Sequence, residues 1–376
     1  MGTTDSWHSG SRPVNPQWPL MPALNPDELL SSWLIRAAMT FGCDPKTLTQ
    51  QIWPTWRVWT ADPDRGYNEE RTSALAAVSG VSEEAIEQAA LRWIADRVVP
   101  TPPSEKMKWR WLLTLGTRGH SRKGGLQYCP HCLTEDHAPF YRVHWRLVWH
   151  VGCERHGNSL LDRCWHCDSP LEPHRLQPED GNLAICASCG ADLRQTHPRL
   201  FSEDAMAFQR WADRVIRTGY GRVLGEQISA SRWFELAHYM GMLVRPASRS
   251  IGENALSDFM KEVGGVSPQD LSLHPGTPLE GLRNSDRQLI LQILFRFMSS
   301  RRGELVRSLL EHGVSRQALI PKGFSPPEII EGLAQDLLDR SVTRQARTTR
   351  LPTPRPRHEV VRMMKRLVRK VENSSL

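Results

Sequence analysis

Eight side chains in the middle of this chain have the type and spacing to hold metal. Two residues separate Cys129 from Cys132, Cys153 from His156, Cys164 from Cys167, and Cys186 from Cys189. That spacing lets one tight turn aim two donors at a single ion. Two such knuckles complete the closed tetrahedral set of a structural zinc site. Taken in chain order, Cys129, Cys132, Cys153 and His156 make one site, with three thiolates and an imidazole. Cys164, Cys167, Cys186 and Cys189 make the other, with four thiolates. A cross-braced exchange of knuckles is the alternative, and the spacing favours the sequential pairing. The expected cofactors are therefore two structural Zn2+. Both sets are complete, so neither keeps the open position of a catalytic zinc. His131, inside the first knuckle, reads as a solvated histidine.

Seven of the eight cysteines lie in the knuckles and only Cys43 is left over. A disulfide framework is the competing reading. It fits poorly with a chain of 376 residues whose N-terminus does not look like a secretory signal. No apolar run approaches a membrane span, so no membrane association is expected and the chain reads as cytoplasmic. Catalytic motifs are missing too. There is no G-x-x-x-x-G-K-[ST], no H-E-x-x-H and no G-x-S-x-G. Asp62 and Asp64 stand in an Asp-Pro-Asp stretch that turn chemistry explains better than a magnesium site. The chain is not expected to be an enzyme.

Charge is unevenly spread. The net charge is +7, yet residues 340–370 hold eleven Arg or Lys and one acid, Glu359, which leaves the rest at −3. A near-neutral body with a cationic tail points to nucleic acid or an acidic partner. Arg355, Arg357, Arg362, Lys365, Arg366, Arg369 and Lys370 are the candidate nucleic-acid contacts. They flank a closing amphipathic helix with Val360, Val361, Met364 and Leu367 on one face. That face could instead dock the tail on the body.

The elements that position these groups read as mostly α. Residues 1–24 form a flexible, proline-rich arm. Residues 25–125 form a helical, helix-turn-helix-like domain. Its first helix starts at Asn25, with Pro26 at the first helical position and Glu28 closing a capping box. Leu29, Leu30, Trp33, Leu34, Ala37, Ala38 and Phe41 make its inner stripe, and Gly42 ends it. Trp53, Trp56 and Trp59 crowd around Arg57. Over 68–97 the pattern predicts helix, turn, helix, with Ser82 capping the second helix and Ile86, Ala89, Ala90, Trp93 and Ile94 facing inward. Glu83, Glu84 and Glu87 open that second helix. Three acids there oppose phosphate, so the unit reads as a protein-contact surface. Lys106, Lys108, Arg110, Arg118, Arg122 and Lys123, with Trp109 and Trp111, read equally as a nucleic-acid track or a solvated face. Residues 126–196 form the tandem zinc module, where 142–149 alternate like a half-buried strand or bend into a short helix. Residues 197–340 form a helical bundle with four apolar stripes, broken at Gly264-Gly265 and near Pro275–Pro278. Residues 341–376 are the basic tail.

These residues resemble the TniQ/TnsD family of transposition target-selection proteins. The stretch Asp27-Glu28-Leu29-Leu30-Ser31-Ser32-Trp33-Leu34-Ile35-Arg36 is similar to the family's opening helix. Tyr128-Cys129-Pro130-His131-Cys132, then Tyr141-Arg142, Trp145-Arg146-Leu147 and Cys153-Glu154-Arg155-His156-Gly157 carry its zinc half. The resemblance covers about residues 20–195. It implies a prokaryotic, non-enzymatic adaptor, a head-to-tail homodimer, linking a target-recognition device to the AAA+ ATPase that recruits the transposase. The device is either a CRISPR RNA-guided Cascade complex with its guide RNA or the protein's own grip on target DNA. A zinc-stapled helix-turn-helix transcription regulator is the reading that needs no transposon.

Overall fold

The computed structural model describes residues 17–100, 109–115, 124–197, 200–248, 254–271, 277–321, 323–339 and 357–372. The chain is mostly helical, with two small two-stranded sheets among the described residues. Arg355 and the basic residues Lys106, Lys108, Arg118, Arg122 and Lys123 lie outside them.

The N-terminal helices are α1 (Leu30–Thr40), α2 (Pro45–Ile52), α3 (Glu69–Ser79), α4 (Glu83–Gln88) and α5 (Arg92–Val98). The expected start of α1 is corrected. Asp27 takes a left-handed φ of 61°, which closes a turn before the helix. The Glu28 carboxylate does accept from the Asn25 backbone amide and from its side-chain Nδ2, but across that turn. Glu28 then sinks into the protein and pairs with Arg36. The stripe from Leu29 to Ala38 is buried as its period requires.

Asn68 caps α3, Gly80 closes it at a left-handed φ of 70°, and Ser82 caps α4. The single second helix expected after Ser82, within 68–97, is broken between α4 and α5. Tertiary bonds take its backbone groups: the Leu91 amide donates to the Asp64 carbonyl at 2.7 Å, and the Ala89 carbonyl accepts from the Leu30 amide at 2.9 Å. Trp53, Trp56 and Tyr67 pack edge to face. The cation over Trp56 is Arg71 and not Arg57, which is exposed.

The central module contains α6 (Pro130–Glu135) and the strands β1 (Gly152–Cys153) and β2 (Asn158–Ser159). No strand forms over 142–149. Val143–Arg146 is a turn of 3-10 helix, and Arg146, Val148 and His150 are buried along with Val143, Trp145, Leu147 and Trp149. A strand would have kept alternate residues in water.

The C-terminal helices are α7 (Glu203–Thr218), α8 (Ala230–Ser248), α9 (Ala255–Gly264), α10 (Asn284–Ser299), α11 (Arg302–Glu311), α12 (Arg316–Leu319) and α13 (Glu328–Ala334). Helix α10 packs on α7, α8 and α9. Strands β3 (Tyr220–Val223) and β4 (Glu226–Ser229) form a hairpin the apolar stripes did not announce. Its two-residue turn, Leu224-Gly225, has positive φ at both positions, as a tight hairpin demands. Gly221 is needed there, because a Cβ would lie 2.6 Å from the Trp233 ring. One apolar core runs from α5 through the central module into the C-terminal helices. Helix α14 (Arg357–Glu372) closes the described chain, with Val360, Val361 and Met364 exposed. The alternative in which those residues dock the tail on the body is not the arrangement seen.

Candidate metal centres

The first cluster is assembled from local turns. Cys129 stands before α6 with Pro130 at its first helical position, so Cys132 faces the same side one turn on. Cys153 lies on β1, and the tight turn to β2 carries His156. Its Nδ1 is 3.4 Å from Cys129 Sγ, 3.3 Å from Cys132 Sγ and 3.4 Å from Cys153 Sγ. Cys132 and Cys153 sulfurs are 3.6 Å apart. A tetrahedron with Zn–S bonds of about 2.3 Å has edges of about 3.8 Å, and the shorter Zn–N bond draws its edges in further. The observed spacings fit that ion. Glu135 Oε1 stands 3.0 Å from His156 Nε2, a charge contact on the side of the ring away from the thiolates. His131 is exposed and only tilts its ring against His156.

Asn158 gives a second test of fit. It is 3% exposed, its Nδ2 has no partner, and its Oδ1 lies 3.4 Å from Cys129 Sγ. Turning the amide over points an N–H at that sulfur. A thiolate, and hence a metal-bound one, accepts that bond; it also removes a buried orphan.

The second cluster pairs two knuckles of the same build. The Cys164 amide donates to the Ser169 carbonyl and that of Asp168 to the Cys164 carbonyl. The Cys186 amide donates to Ala191 and that of Gly190 to Cys186. Asp168 and Gly190 hold the left-handed position of each turn, at φ 53° and 73°. Cys164 and Cys189 sulfurs are 3.7 Å apart, and those of Cys167 and Cys186 are 3.8 Å apart. Burial pushes the Cys164 thiol up to about 12, against the amides of Cys167 and His166, which favour its thiolate. Ser169 pulls Cys167 down to about 6. In the first cluster, contact with neighbouring sulfurs pushes Cys132 up and pulls Cys153 down. Thiols packed this closely cannot all ionise without a cation between them. The ligand atoms of each set lie within 4.8 Å of one another, so two clusters can each hold a metal, and the donor set is that of structural zinc.

Behind the clusters lie charged residues that spacing did not single out. Arg146 is wholly buried. Its guanidinium is 2.6 Å from both Asp62 and Asp64 and donates to the Leu113 carbonyl at 2.9 Å. This is the work of the Asp-Pro-Asp stretch, where Asp62 also caps a turn through the Asp64 amide. Arg287, on α10, is buried as well. It donates to the Val148 carbonyl at 2.7 Å and to Gln127 Oε1 at 2.6 Å. Asn284 donates to Gln127 and to the Val151 carbonyl. Burial pulls Arg287 down to about 10, still a cation at neutral pH.

The other predicted residues stand elsewhere. Glu83, Glu84 and Glu87 are exposed on α4. Arg357, Arg362 and Lys365 are exposed on α14. Arg366, Arg369 and Lys370 belong to that helix, and their side chains lie outside the described residues. No helix among the described residues is long and apolar enough to cross a membrane.

Fold and site together define a mostly helical protein organised round two ligand clusters in tandem, one of three cysteines and a histidine and one of four cysteines. A family model described as TniQ matches residues 19–160, from α1 through the whole first cluster to β2. Over those residues, less than half of its length, the chain is similar to the TniQ family. The second cluster lies beyond the matched residues. No curated protein matches the chain.

Proposed function

We propose that this chain is a non-enzymatic adaptor in DNA transposition. It links a CRISPR RNA-guided Cascade complex to the AAA+ ATPase that recruits the transposase, and it acts as a head-to-tail homodimer carrying two structural Zn2+ per chain. The TniQ match over residues 19–160 carries this reading. Exposed acids on α4 support it, since Glu83, Glu84 and Glu87 offer carboxylates to guanidinium groups of a protein and repel phosphate.

A second reading has the protein grip target DNA itself. Exposed Arg357, Arg362 and Lys365 on α14 favour it. Co-expression with an AAA+ ATPase and a Cascade complex, followed by size-exclusion chromatography with light scattering, separates the two. The adaptor reading expects one complex containing both partners and two copies of this chain. It also expects Lys at positions 83, 84 and 87 to release a partner while raising non-specific DNA affinity. Tight binding to a specific DNA site without either partner overturns it in favour of autonomous targeting or of a transcription regulator.

A further inference from the structure

A cleft of about 630 Å3 opens between α5, the first metal knuckle and α7. Its floor is apolar, formed by Ile94, Leu147, Trp149 and Ile216. Arg97 and Arg217 stand exposed at its mouth. Arg97 lies against the Trp93 ring and donates to the Trp93 carbonyl. Among the described residues neither arginine pairs with a carboxylate. Of the acids in the same lining, Asp27 is engaged by His144, and Asp213 by His150 and the Trp149 indole, while Glu154 stands exposed. His150 is 6% exposed and its Nδ1 has no partner, so the wall keeps an unsatisfied ring nitrogen beside Asp213.

Volume, apolar floor and cationic mouth together suit a side chain presented by a backbone that carries negative charge. We propose that this cleft binds an acidic peptide segment of a partner protein, seating one aromatic or leucine side chain on the floor and carboxylates on Arg97 and Arg217. Nucleic acid suits it less. The apolar floor takes a side chain and offers a phosphate backbone no partner.

The test uses the full chain and a fluorescein-labelled hexapeptide, Trp-Leu flanked on each side by Asp-Glu, in a fluorescence-anisotropy titration. Saturable binding is expected. Arg97→Glu with Arg217→Glu should weaken it by about tenfold or more, the scale of two lost charge contacts. Arg97→Gln with Arg217→Gln should weaken it in the same direction, which guards against a folding artefact. Replacing Trp-Leu by Gly-Gly should also weaken it. No saturable binding overturns the proposal, as does binding that both double variants leave unchanged. A labelled oligothymidine that displaces the peptide and is itself lost in the double variants reassigns the cleft to nucleic acid.

Discussion

Arg146 is shared by two buried carboxylates, and the sharing makes them unequal. Asp62 is held below its usual range: burial would raise it, and the guanidinium outweighs burial. Asp64 sits deeper, is pushed up by burial and by Asp62, and rises to about 6. Asp62→Asn should therefore be the costlier change, about 3–5 kcal/mol for breaking a buried ion pair, and Asp64→Asn the milder one at neutral pH. The pH dependence has a definite sign. The folded-state value of Asp64 lies above its reference of 3.8, so folding takes up a proton between 3.8 and about 6. Its contribution to stability is fully present below 3.8 and is lost as pH rises through about 6. Denaturant titrations of wild type and Asp64→Asn at about pH 5 and about pH 7.5 check this. Wild type should lose more stability than the variant on going to the higher pH. Equal losses refute the assignment. Zinc ligation adds a slope of opposite sign to both proteins, so only the difference counts. Residue type and spacing disclosed the metal ligands because each knuckle is local. They were silent on Arg146, whose carboxylate partners lie 82 and 84 residues away, and on Arg287, which is 160 residues from Gln127. An arginine in an alternating run looks solvated until the element that buries it is known.

At the scale of elements, the knuckles stand in for a core that their lobes are too small to build. Structural zinc supplies about 10–16 kcal/mol of apparent binding energy in small modules. Purified protein should contain two zinc ions per chain by elemental analysis. Cys153→Ser should lower the count to about one and destabilise the module, because three ligands do not close a structural site. A full count of two in that variant would mean the first cluster is not a metal site. Local pattern foretold α3, the turn after it and the serine cap of α4, since each depends on neighbours in the chain. It misjudged α4 and α5 as one helix, because Ile86, Ala89, Ala90, Trp93 and Ile94 keep a helical period across the break. What ends α4 is a pairing with Asp64 and Leu30 that no window of adjacent residues contains. Of the two readings of 142–149 the bend into a short helix is the one seen, over Val143–Arg146; the strand reading fails because Arg146, Val148 and His150 are buried along with their apolar neighbours.

For the molecule as a whole, charge and core are separated along the chain. Removing residues 340–376 should leave the metal clusters and the shared apolar core intact, since the described part of that segment, α14, exposes Val360, Val361 and Met364 instead of burying them. If four of its cations meet phosphates, the slope of log affinity against log salt should flatten by roughly three to four on truncation, at about 0.9 per contact. Filter binding of duplex DNA across a salt series reads this directly, and an unchanged slope would make the tail charge a solvated face. The Gln127–Asn284–Arg287 junction has a different reach. It fastens α10 to the carbonyls of Val148 and Val151, and those carbonyls are held in place by the chain that turns back into Cys153. Chelating the first metal should thus do more than loosen two knuckles. It strands a guanidinium in the C-terminal core without its acceptors, so protease should cut α10 as soon as it cuts the cysteine turns, and calorimetry should record one melting transition where separate lobes would give two.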